Sequence, residues 1–163
     1  MRDFLFHGRR MDNGEWITGC LTVDDFMTPS GFRRKTCIKE IPAQLGGTYS
    51  WAEVDPNTVG QYIGRKTQHG SPVFDGDLVR VRVTPTIWNF TSAYTAIFEV
   101  AFHPRYCFFY LKNAHNNLML DGNQHYTVEL LDITGSIHDG PWPPKWIPEP
   151  FSEQEPASHA TAI

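Results

Sequence analysis

Between Asp77 and Val83 the chain reads "DLVRVRV", in which Val79, Val81 and Val83 alternate with Arg80 and Arg82. Side chains of a strand point to opposite faces in turn, so a period of two makes a strand with one apolar and one wet face. Just ahead of it "VGQYIG" reads as a partner strand, whose Gly60 and Gly64 imply a close backbone approach or a bulge. His69-Gly70 fills the turn that follows, where glycine supplies the positive φ of a tight reversal. A chain organised around this hairpin folds by strand pairing.

The same reasoning extends outward. Asn13-Gly14 lies between a short apolar run after Phe4 and "WITGCLTV", a strong hairpin signal. "VDPNT", from Val54 to Thr58, has turn chemistry. In "YTAIFEVAF", Tyr94, Ala96, Phe98, Val100 and Phe102 share one face of a strand, with Thr95, Ile97, Glu99 and Ala101 on the other. "YTVELLDI", from Tyr126, reads as the last long strand. Residues 24–50 read as loops broken by Pro29, Gly31, Pro42 and Gly46-Gly47, with room for a short strand around Cys37. "RYCFFYLKNAHNNLML" admits two readings, a buried strand near Phe108 or a short helix from Ala114 to Leu120. Closely spaced prolines after Pro141 predict an extended strap and then a disordered tail, which puts the domain at residues 1–148 and the tail at 149–163.

Some seven short strands with almost no amphipathic helix predict an all-β protein. The glycine-containing central hairpin favours a small SH3-like, partly open barrel with the N-terminal hairpin packed beside it. At 163 residues the length suits one such domain. A formal charge of −4 weighs against a protein devoted to nucleic acid, because phosphate contact shows as an excess of Lys and Arg. No window approaches the roughly 18 to 20 apolar residues of a membrane span, and the opening apolar stretch is too short for a signal peptide. The expectation is a cytoplasmic protein with no membrane partner. Its three cysteines, Cys20, Cys37 and Cys107, are odd in number and widely spaced, which suits reduced thiols acting as small buried hydrophobes.

Candidate chemistry is sparse. Asp75 and Asp77 flank Gly76, and with His69 they are conceivable metal ligands. Asp-Gly-Asp between strands is also ordinary turn chemistry, with short carboxylates accepting from nearby backbone N–H groups, and that reading is the stronger. A His103 and Cys107 dyad would need helix across Pro104. No nucleophile elbow, phosphate loop or dinucleotide fingerprint is present, so no catalytic, cofactor or metal set emerges. Arg33, Arg34 and Lys35 form a basic cluster in the expected loop, read either as solvated charge or as phosphate contacts. Trp51, Trp88, Trp142 and Trp146 either line a ligand face or seal a core edge.

Taken together, "TVGQYIGRKTQHGSPVFDGDLVRV" resembles the signature block of the YopX family of phage and prophage proteins. The matching residues are Gln61, Tyr62, Gly64, Lys66, Gly70, Gly76, Asp77 and Val79. Trp16 and Gly19 are similar to the family's opening element, and "LLDITGSIHDGP" is similar to its closing motif through Ile133, Gly135, Ile137 and Pro141. Arg65, Thr67, His69 and His138 depart from the pattern, and residues 84–125 match nothing in it. The resemblance implies a mainly β fold, a mobile genetic element in a bacterial host cell as source, and structural roles for the motif residues. It implies no catalytic residue and no cofactor.

The functional expectation is therefore a non-enzymatic accessory protein that works by binding protein and by self-association. The alternative is a nucleic-acid-binding regulatory factor using Arg33, Arg34 and Lys35. Self-association is expected at an open sheet edge, because Tyr94 to Phe102 carries one charge, Glu99, and Tyr106 to Leu111 carries none.

Overall fold

The computed structural model describes residues 4–40, 50–86 and 93–139. The first hairpin forms where Asn13-Gly14 puts it. β1 (Phe6–Arg9) pairs antiparallel with the start of β2 (Trp16–Thr28), and Gly14 takes a φ of 75° between them. β3 (Gly31–Lys39) returns along β2, and β4 (Trp51–Glu53) pairs with the end of β3. The Asp55 carboxylate then accepts from the Asn57 N–H at 2.9 Å, capping a single 3-10 turn at Pro56–Thr58.

The central hairpin follows. β5 (Gly60–Lys66) pairs with β6 (Pro72–Phe74), and a register shift between Tyr62 and Lys66 sits at Gly64, whose φ is 80°. β7 (Asp77–Pro85) buries Val79, Val81 and Val83 and exposes Arg80 and Arg82, as the alternation requires. Those two arginines pair with Asp132 at 3.5 Å and Glu129 at 3.2 Å on the wet face. β8 (Tyr94–His103), β9 (Phe108–Lys112), β10 (Asn117–Met119) and β11 (Tyr126–Ser136) complete the set.

The strands form two antiparallel sheets, ordered β4-β3-β2-β1-β5-β6 and β10-β9-β8-β7-β11, and neither closes on itself into a barrel. The larger core cluster joins the inner face of the second sheet (Val79, Val81, Val83, Phe98, Val100, Leu111 and Leu130) to Val73 of β6. A smaller cluster of Ile17, Ile38, Ala52 and Val54 lies in the first sheet.

Four sequence expectations are corrected. The short strand allowed around Cys37 is present as the end of β3, but residues 24–28 and 31–35 are strand as well and not loop: Pro29 and Gly31 belong to one turn between two long strands. Arg33, Arg34 and Lys35 accordingly lie on β3. Tyr94 to Phe102 is a sheet edge only in part: β7 pairs with Tyr94 to Glu99 and β9 with Glu99 to His103, so among the described residues Tyr94 to Phe98 has no partner strand on the β9 side. Cys20 and Cys107 are exposed, and only Cys37 is buried. In the ambiguous segment the chain takes the strand, and a turn followed by β10 replaces the alternative helix because Asn113 Oδ1 accepts from the His115 and Asn116 N–H groups and turns the backbone. Trp51 is 61 % exposed and seals no core. Trp88, Trp142, Trp146, Pro141, the domain boundary and the tail lie outside the described residues.

Candidate functional site

The most distinctive surface begins where β2 and β3 outrun their neighbours. β1 covers β2 only from Trp16 to Gly19, and β4 covers β3 only from Cys37 to Lys39, with the Val54 N–H reaching the Thr36 carbonyl at 2.9 Å. Residues 22–35 therefore pair with each other and, among the described residues, with no third strand. The turn at the tip is built by Pro29, which presets its own φ, and Gly31, at a φ of 122°; the Thr28 hydroxyl donates to the Gly31 carbonyl at 2.6 Å.

Residues facing each other across an antiparallel pair share a side, so the register assigns both faces of this arm. One face carries Leu21, Val23, Asp25 and Met27 opposite Ile38, Thr36, Arg34 and Phe32. It continues the face that buries Ile17 and Ile38 in the smaller core. Past the covering strands the same apolar stripe is open, with Met27 79 % and Phe32 77 % exposed and Val23 exposed beside them. The other face carries Thr22, Asp24 and Phe26 opposite Cys37, Lys35 and Arg33.

The charges on the arm are matched among themselves. Arg33 reaches Glu53 Oε1 at 2.8 Å and Lys35 reaches Glu53 Oε2 at 2.9 Å, while Lys35 Nζ sits 5.3 Å above the Phe26 ring. Arg34 pairs with Asp25 at 3.0 Å, and that hydrogen bond holds the Asp25 carboxyl below its ordinary value. All three cations that sequence reasoning singled out for phosphate are thus partnered by carboxylates. The arrangement suits an apolar contact bordered by balanced charge better than a polyanion.

The motif residues gather elsewhere. Asp77 is buried and accepts from the Phe74 N–H at 2.8 Å, which is the turn chemistry its sequence implies. Gly76, at a φ of 86°, donates to the Val100 carbonyl and accepts from the Ile137 N–H, each at 2.9 Å, and from the Ser136 hydroxyl. The Gln61 carbonyl takes the Asp75 N–H at 2.9 Å, and Tyr62 donates its own N–H to Leu5 and tilts against Phe74. Gly135 adjoins a register shift in β11, and Asp139 caps the Ser136 N–H at 2.7 Å. The central hairpin therefore meets the opening segment at Tyr62 and the closing strand at Gly76. Gly70 (φ 85°) closes the exposed hairpin end, where His69 lies next to Gln68 and away from Asp75 and Asp77. Among the described residues no three His, Cys, Asp or Glu side chains stand close enough to hold a metal ion.

One buried group at this junction went unnoticed in the sequence. His7 is 7 % exposed, stacks on Phe74 with ring centres 4.2 Å apart, and lies 4.5 Å from Trp16. Its Nε2 makes no well-formed hydrogen bond, although the Asp75 carbonyl acts on the ring. Burial, reinforced by His138, pulls its pKa down to about 4, while burial, reinforced by Asp139 and Asp75, pushes the Asp77 carboxyl up to about 6. The only local hint is Gly60, a residue without a side chain directly opposite His7.

The conjectured dyad is differently engaged. Cys107 Sγ points at the Pro104 carbonyl at 3.6 Å, and the His103 ring lies among Tyr106, Phe108 and Tyr110. No family model, curated protein or solved structure matches the chain.

Proposed function

We propose that this chain is a non-enzymatic binding protein whose β2–β3 arm docks on protein, first of all on a second copy of itself. One observation carries the reading: among the described residues the arm of residues 22–35 is a two-stranded ribbon without a third strand, and Val23, Met27 and Phe32 are exposed on its core-side face. An isolated two-stranded hairpin is marginal in water and needs a further strand or a packed apolar face to hold it. A second arm laid against the first provides that face. Asp25 and Arg34 lie on it side by side, so a two-fold related copy presents each charge with its opposite.

The proposal also places the chain in the YopX family, as an accessory protein of a phage or prophage acting in the bacterial cytoplasm. Its support is the order and spacing of the three motif blocks and the hydrogen bonds that join Gly76 of the central block to Ser136 and Ile137 of the closing block. Kinship with SH3-like barrels belongs to the same proposal and rests on the bulged, glycine-containing β5–β6–β7 hairpin. Sedimentation at micromolar concentration tests the association. The wild type should be a dimer or larger, and Phe32→Asp should yield a monomer in which the core amides of Val79 and Val81 keep their hydrogen-exchange protection. A wild type that sediments as a monomer defeats the reading.

A further inference from the structure

The outer face of the second sheet carries an aromatic groove that the arm does not use. On β9, Phe109 and Leu111 turn to the core, so Phe108 and Tyr110 lie on the outer face. His103 of β8 stands opposite Phe108, and Met119 of β10 opposite Tyr110. The turn after β8 adds a fourth ring. There Cys107 takes a φ of 54°, uncommon for a residue with a side chain, and its N–H donates to the His103 carbonyl at 2.8 Å, which brings the Tyr106 ring centre to 4.8 Å from that of His103. The groove encloses about 300 Å³ and runs on to Leu118 and Asn117. It is open, with Tyr106 62 % exposed and Phe108 and Met119 exposed beside it.

Ring orientation and charge together select the occupant. Phe108 lies within 20° of parallel to both His103 and Tyr106, at centre separations of 5.6 and 6.2 Å, while Tyr110 stands at 73° to Phe108 and walls one side. Near-parallel exposed rings offer flat faces, and flat partners stack on them. Arg105 lies exposed in the same turn, its guanidinium 5.7 Å from the Tyr106 ring centre. Among the described residues no carboxylate pairs with Arg105 and none lines the groove. The three cations of the arm are matched by Asp25 and Glu53, and this one has no such match. A planar group carrying negative charge fits both features.

We propose that this groove binds single-stranded nucleic acid, with bases stacked on Tyr106, Phe108 and His103 and a phosphate on Arg105. Neighbouring bases of a duplex strand stand about 3.4 Å apart, closer than these rings. A single strand is free to open that spacing and set one base on each of two neighbouring rings. The Tyr106 and Tyr110 hydroxyls and the Asn117 amide supply hydrogen-bond partners for base edges. A formal charge of −4 leaves little general attraction for phosphate, so the affinity rests on stacking and tolerates many sequences. Several rings in the open suit an oligonucleotide, whereas a lone nucleotide engages only one of them.

Fluorescence anisotropy of labelled DNA and RNA strands of about 12 nucleotides, titrated with the full chain, tests this. At least one strand should bind more tightly than the duplex of the same sequence. Tyr106→Ala and Phe108→Ala should each weaken that binding about tenfold. Arg105→Gln should weaken it and lower the slope of log Kd against log salt by about 0.7. Arg82→Gln, which removes a cation of the same face already paired with Glu129, should leave it unchanged. Unchanged hydrogen-exchange protection at Val79 and Val81 shows the fold intact in each variant. No binding of either strand at about 100 μM, the weak end of non-specific affinity, would overturn the proposal. Equal binding of the duplex, a mononucleotide that competes as tightly as the strand, or wild-type affinity in both ring variants would do the same. A proline-rich peptide that shifts the Tyr106 and Tyr110 ring resonances where the strands shift neither would overturn it in favour of a protein partner.

Discussion

Gly60 stands directly across the β1–β5 pair from His7, and a Cβ at Gly60 would come within 2.7 Å of His7 Nε2 while striking the Asp75 carbonyl. The imidazole occupies the volume that any other residue at position 60 would fill. Two elements far apart in the chain, the opening strand and the central hairpin, are thereby pressed together around one ring.

Gly60→Ala should therefore destabilise the protein by about 2 to 3 kcal/mol, the upper range for overpacking a fitted site. The obstacle includes backbone, so no rotamer change relieves it. Urea unfolding measures the loss, and a midpoint equal to that of the wild type would mean that β1 and β5 do not meet as described.

The charges around that ring make opposite demands on pH. His7 titrates near 4 in the folded chain against an ordinary 6.5, so the unfolded chain binds more protons between those values. Its contribution is complete above about pH 6.5 and is lost as pH falls to 4, a swing on the order of 3 kcal/mol. Asp77, raised to about 6 from 3.8, has the opposite sign: its contribution is complete below about pH 3.8 and is lost as pH rises through 6, by a similar amount. Asp75, also raised by burial, acts in the same direction as Asp77. In the wild type the His7 and Asp77 contributions should largely offset each other between pH 4 and 6.5, which leaves the Asp75 contribution, lost as pH rises. Asp77→Asn keeps an acceptor for the Phe74 N–H and removes one side of the balance. Its stability relative to the wild type should fall by about 3 kcal/mol between pH 7 and pH 4, measured by urea unfolding at each pH, and a constant difference would refute the assignment.

Two glycines separate backbone strain from crowding. Gly70 and Gly76 have nearly the same φ, 85° and 86°, but a Cβ at Gly70 meets open space whereas one at Gly76 lies 3.2 Å from His138 Nε2. Gly70→Val should cost about 1 to 3 kcal/mol from conformation alone, and Gly76→Val should cost more. Thermal melts of the pair rank them, and equal losses would show that His138 yields freely.

Much of this junction was legible in the sequence, because each signal there is local. Alternating valines give β7 its faces, and Gly70 and Gly76 stand where a positive φ is required. His7 was not legible, since nothing within β1 shows that its partner across the sheet is a glycine. The arm was missed for a different reason. Asp24-Asp25 and Arg33-Arg34-Lys35 break the apolar alternation, and their strand character depends on cross-strand ion pairs that exist only once Thr28 and Gly31 face each other. The supposed edge at Tyr94 to Phe102 is covered by β9 from Glu99 onward, because a strand's position within a sheet is set by pairing order, which the pattern of a single strand does not encode.

Hydrogen exchange of the arm amides at two protein concentrations tests the central claim most directly. If the ribbon of residues 22–35 is held by a second copy, protection at Val23, Asp25, Met27 and Phe32 should rise with concentration while that of Val79 and Val81 in the core stays constant. Phe32→Asp should remove the concentration dependence. Arm amides equally protected at every concentration would show that the ribbon stands alone, and amides unprotected throughout would show that it finds no copy of itself; either result contradicts the account.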